Sequence, residues 1–87
     1  MDQDKDTLYQ TRDMNLAACL MAESIKYVRT EKDEVDSRRL LFVFEKAGRE
    51  DDIERILAQR ANSTHIVSSV VYDEKLRILK SIIHQFK

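Results

Sequence analysis

Apolar positions along the 87-residue chain change their spacing several times, and each change marks an element. Leu16, Ala17, Leu20 and Met21 recur at i, i+1, i+4 and i+5, the apolar face of a short helix. Thr11 is the expected N-cap, Asp13 suits the positive end of the helix dipole, and the helix should close near residues 23 and 24. Residues 25–30 alternate apolar and polar, Val28 excepted, and carry β-branched and aromatic side chains, which predicts a strand. The charged stretch 31–37 suits a hairpin loop. Residues 38–45 read as a second strand with an uncharged centre. Leu40, Phe42 and Phe44 share one pleat and Leu41 and Val43 the other, so both faces are expected to be at least partly covered.

Ala47 and Gly48 end that strand, and Glu50, Asp51 and Asp52 crowd the start of the next helix, where negative charge is favourable. Ile53, Ile56, Leu57 and Ala61 form its stripe, and Asn62 tolerates the geometry of a helix end. Residues 65–67 fit either a short third strand or an extended link. Ser68 is the expected cap of a last helix whose stripe is Tyr72, Leu76, Leu79, Ile83 and Phe86, widened by Val71, Ile78 and Ile82. The expected fold is a small single α+β domain over 11–87, an antiparallel β-hairpin packed with three helices in the order α-β-β-α-(β)-α. A flexible polar arm over 1–10 precedes it.

Charged residues make up 36% of the chain and apolar ones 43%, too apolar for disorder and too charged for a membrane protein. No apolar run approaches the roughly 18 residues of a membrane span, and the acidic start is unlike a secretory signal. One cysteine, Cys19, excludes an intrachain disulfide and fits a reducing compartment, so the expected location is cytoplasmic. The net charge of −1 gives no global pull toward nucleic acid or anionic lipid.

Several stretches carry a resemblance. Residues 9–20, Tyr-Gln-Thr-Arg-Asp-Met-Asn-Leu-Ala-Ala-Cys-Leu, resemble the Thr-x-Asp-Leu-x-Leu-Ala-Ala opening of an uncharacterised family of small bacterial, phage and mobile-element proteins. The Leu-Phe-Val-Phe-Glu strand at 41–45 and the Leu-Arg-x-Leu-Lys pattern from Leu76 to Lys80 continue the similarity. The chain departs from the pattern at Ser24, where that family usually has Gly, and in a longer, more charged hairpin loop. The resemblance implies a fold and a genomic setting. It carries over no catalytic residue.

Candidate chemistry is sparse. His65 and His84 are far apart in sequence and Cys19 lacks a Cys-x-x-Cys partner, so no metal or cofactor is expected. Cys19 reads as a core residue and both histidines as surface or helix-end groups. A single Gly rules out a glycine-rich phosphate loop. These features point away from an enzyme and toward a protein-binding accessory, an inhibitor or modulator of a host system, with Asp33, Glu34, Asp51 and Asp52 as candidate contacts. The alternative is a nucleic-acid-binding regulator using Arg29, Arg38 and Arg39, although residues 26–39 hold five basic and four acidic side chains. The wide stripe of the last helix suggests a homodimer through Val71, Ile78 and Ile82, against the alternative of a helix sunk in one monomer.

Overall fold

In a computed structural model that describes residues 7–36 and 38–86, the apolar run in the middle of the chain becomes the central strand of a three-stranded antiparallel sheet. The elements are β1 (Leu8–Thr11), α1 (Met14–Ala22), β2 (Tyr27–Lys32), β3 (Leu40–Glu45), α2 (Glu50–Ala61) and α3 (Ser69–Gln85). The sheet order is β1-β3-β2. The domain is α+β, as the spacing predicts.

The first strand is a correction. Residues 8–10, assigned by composition to a flexible arm, pair with β3, with Leu8 opposite Glu45 and Thr11 opposite Phe42. The rest of the expected arm, residues 1–6, lies outside the described residues. Because Thr11 ends a strand, the helix cap moves to Asp13, whose carboxylate accepts from the backbone N–H of Asn15 at 2.9 Å and of Leu16 at 3.2 Å. Residues 64–68 form an extended link and no third strand of the hairpin. Ser68 caps α3 as expected, accepting from Val71 N–H.

Val28, the residue that breaks the alternation of the first hairpin strand, is a β-bulge. The register with β3 shifts between Tyr27, opposite Phe44, and Arg29, opposite Val43. One extra residue returns Tyr27 and Thr30 to the same pleat. There Tyr27 meets Phe44 edge-on, with ring centroids 5.9 Å apart.

The three helices bury one pleat of the sheet. Phe42 and Phe44 share a cluster with Leu16, Ala17, Ala18, Cys19, Leu20, Ile25, Ile53, Ile56 and Leu79. The small side chains of Ala17 and Ala18, both fully buried, let α1 lie close to its neighbours, chiefly α3. Val43, on the other pleat, is also buried but lies outside that cluster, flanked by Gln10 and Arg29. The expected cover on both faces is thus uneven: helices on one, strand neighbours on the other.

Both internal helix ends close in the same way. After α1, Ser24 takes φ 66°, its N–H bonds Met21 C=O at 3.0 Å, and Ile25 N–H reaches back to Leu20 C=O at 3.0 Å. After α2, Ser63 takes φ 58°, its N–H bonds Arg60 C=O, and Thr64 N–H bonds Gln59 C=O at 2.7 Å. These are paired Schellman closures, and at the first the apolar contact between Ile25 and Leu20 is fully inside the core. A serine at the left-handed position strains the backbone by about 1 kcal/mol relative to glycine. Ser24→Gly and Ser63→Gly should each raise stability by up to about 0.5 kcal/mol, after the added freedom of the unfolded chain is offset. Urea unfolding checks this, and Ser24→Val should shift the midpoint the other way.

Candidate functional site

The end of the sheet that carries the hairpin loop is open. There Arg12 follows β1, Met14 begins α1, Lys32 ends β2 and Leu40 begins β3 directly opposite Lys32. Ile83 and Phe86 arrive from the last turn of α3, and these residues with Arg38, Arg39 and Phe42 enclose a groove of about 490 Å³. Its inner wall is apolar, with the buried Phe42 beneath, and its rim is cationic. Apolar side chains that close the core elsewhere here meet water beside four positive charges.

Asp33 shapes this rim. Although it belongs to a charged loop, it is only 4% exposed. One carboxylate oxygen accepts from Val35 N–H at 3.0 Å and the other lies 2.5 Å from the Arg12 guanidinium. Its own N–H bonds Arg39 C=O, which extends the hairpin one step beyond the strands. Asp36 accepts from the backbone N–H of Arg38 at 3.1 Å and pairs with both Arg38 and Arg39. The Arg38 N–H, then the guanidinium of the same residue, hold the Asp36 carboxyl below the ordinary range. Lys32 has no carboxylate partner among the described residues.

The expected acidic contacts do not form one surface. Asp33 is buried and paired, which corrects its reading as an exposed contact. Glu34 is exposed in the hairpin loop, whereas Asp51 and Asp52 open α2 beyond the far end of β3. Six strand residues separate the two groups, roughly 20 Å at strand rise. Asp52 is bonded to Arg49 at 2.7 Å, which with Arg55 keeps its carboxyl below the usual range. The expected basic set also divides. Arg38 and Arg39 join the groove, while Arg29 stands on the opposite pleat, 2.7 Å from Glu31. Arg12 is not legible as a site residue from local sequence, because only the β1–β3 register brings it to the same end as Lys32.

The three residues of the expected self-association stripe fall in different settings. Ile82 packs against the core, Val71 is half-buried, and only Ile78, 40% exposed, faces outward. The core takes up Tyr72, Leu76, Leu79, Ile82 and Ile83 of the stripe.

A second, polar cluster joins α1 to the α2–α3 link. His65, expected at the surface, has a side chain only 6% exposed and bonds Glu23 at 2.8 Å. Arg55 also pairs with Glu23, and Arg49 donates to the carbonyls of Glu23 and Ser24 that end α1. Cys19, Arg60 and Tyr72 border a shallow cavity of about 290 Å³ beside this network. Burial raises the Cys19 thiol, opposite to what a reactive thiolate needs, and likewise raises Tyr72, whose hydroxyl donates to Asn15. Among the described residues no three His, Cys, Asp or Glu side chains converge as metal ligands. No described helix is long and apolar enough to cross a membrane.

Fold and groove together define a small α+β domain with a basic, apolar-walled recess at one end of its sheet. The family comparison covers nearly the same span: a domain of unknown function, DUF5659, matches residues 6–86, and the chain belongs to that family. No curated protein and no solved structure matches the chain significantly.

The Glu23 network makes stability depend on pH. Its carboxyl is held below the usual range, first by the bond from Arg55, with His65 acting in the same direction and burial opposing. A lowered folded pKa stabilises above the unfolded value, about 4.3, and is lost as pH falls through the folded one. Glu23→Gln should cost about 1–2 kcal/mol at pH 7, and its gap from wild type should narrow between about pH 5 and pH 3. Urea titrations at both ends check this; a constant gap refutes the assignment.

Proposed function

We propose that the protein is a non-enzymatic binding module of a phage or mobile element that acts on a cytoplasmic host protein by capturing an acidic part of it in the basic groove. The observation that carries this reading is the gathering of Arg12, Lys32, Arg38 and Arg39 around an apolar wall. In a chain of net charge −1 these cations are brought together by folding, and electrostatic complementarity of this kind steers and selects partners. The reading keeps the expected class, a protein-binding accessory or inhibitor, and exchanges the expected acidic contacts for basic ones. It needs no second copy of the chain, because every residue lining the groove comes from one monomer.

Nucleic-acid binding is the second reading, favoured by the same four cations. Against it, Arg29 points away from the groove, and Glu34 and Asp36 share its loop. A gel-shift titration at two salt concentrations separates the readings, since phosphate contacts weaken steeply with salt.

Arg38→Glu combined with Arg39→Glu should release the partner in affinity capture from the source cell while leaving the circular dichroism spectrum unchanged, both side chains being exposed. A partner retained by that variant but lost on reversing Asp51 and Glu54 would transfer the function to the α2 surface.

A further inference from the structure

We infer that the occupant of the groove is a short acidic peptide segment carrying one bulky apolar side chain, its carboxylates on the arginine rim and its apolar group against Met14, Leu40 and Ile83. This inference rests on the proposed protein-binding role and specifies the chemistry of the contact.

Three observations lead to it. First, the recess of about 490 Å³ lies within the roughly 300–1,000 Å³ of ligand-sized pockets, enough for one large side chain and adjoining backbone. Second, the wall is not closed by the protein itself. Met14, Leu40 and Ile83 remain partly exposed above the buried Phe42, and Phe86 is 38% exposed at the end of α3. A purely anionic ligand would leave that apolar surface wet, and a purely apolar one would desolvate the cations without a counter-charge. Third, Arg38 and Arg39 are available, the Arg39 side chain being 63% exposed and its pair with Asp36 3.6 Å long. The Arg38 side chain is 91% exposed and its pair with Asp36 is long at 3.3 Å, and exposed pairs of this kind hold weakly in water. Arginine can exchange such a contact for a bidentate one with an incoming carboxylate.

The wall also discriminates between acidic peptide and nucleic acid. Bases bind on stacking platforms beside a continuous cationic track. Here Phe86 is the one partly exposed aromatic ring at the groove, the remaining wall is aliphatic, and the sheet turns Arg29 to its other pleat. An apolar peptide side chain fits aliphatic walls and a stacked base does not.

The test uses the full chain and a fluorescein-labelled, C-terminally amidated Glu-Asp-Phe-Asp-Glu peptide, followed by fluorescence anisotropy. Binding should saturate, weaken with salt, and fall about tenfold or more when the peptide Phe becomes Ala, the loss expected for one bulky apolar contact. Arg38→Glu/Arg39→Glu and, separately, Phe86→Ser should weaken it, whereas Asp51→Lys at the far end of the sheet should not. Equal affinity for the Phe and Ala peptides would overturn the inference, as would tighter binding of a single-stranded oligonucleotide of the same charge. If the peptide fails while Arg38→Glu/Arg39→Glu still releases the captured partner, the peptide chemistry is wrong and the protein-binding role stands. If both fail, both fall.

Discussion

Everything in this domain depends on β3 being hydrogen-bonded along both of its edges. A strand whose Phe42, Val43 and Phe44 are all buried cannot leave backbone N–H and C=O groups unpaired, since each buried orphan costs about 1–3 kcal/mol. β2 satisfies one edge. The other edge obliges a further strand, and the short segment Leu8–Thr11 supplies it. A lone two-stranded hairpin would be marginal in water. The third strand therefore completes the backbone bonding and gives the helices a wide enough platform to bury Phe42 and Phe44.

That requirement also builds the groove. β1 runs antiparallel to β3, so its last residue lies beside the start of β3, and the chain must turn there into α1. Arg12 lies in the turn and Met14 opens α1, and both arrive next to Leu40 and Lys32 at the hairpin end. At the other end of the sheet the chain closes differently. Arg49 bonds the terminal carbonyls of α1 and the carboxylate of Asp52, while Glu23 gathers Arg55 and His65. One end is thus cross-tied by satisfied polar groups, and the other is left with exposed cations and incompletely covered apolar side chains. The domain is tied together at one end of its sheet and incompletely covered at the other.

Local pattern made the hairpin, the three helices and the Ser68 cap legible, because each is announced within a few residues. β1 was not, since four residues of Leu-Tyr-Gln-Thr carry too short an alternation and their partner lies more than thirty positions away. Missing β1 displaced the helix cap from Asp13 to Thr11 and hid Arg12 as a site residue. Val28, a blemish in the alternation, proved to be the bulge. Ser24 proved to be the left-handed residue of a helix closure, a backbone demand that no glycine announces in the sequence. Arg38 and Arg39 were readable as candidates because of their adjacency, whereas the burial of Asp33 was not, because nothing local distinguishes it from Glu34.

Asp33 also explains why a loop of alternating charge yields a basic site. Counted along the chain, its acids and bases nearly cancel. In the folded domain the cancellation is spatially uneven. Asp33 is drawn inward, where its carboxylate accepts from Val35 N–H and lies against the Arg12 guanidinium, and Asp36 is bent back onto the N–H and side chain of Arg38. These carboxylates are turned toward local N–H groups and guanidinia, while each guanidinium keeps unused donors, five N–H groups against one or two contacts. Glu34 apart, the outward-facing hydrogen-bonding capacity of the loop is therefore that of a donor surface. A charge sum cannot register this asymmetry, because it depends on which partner of each ion pair is buried.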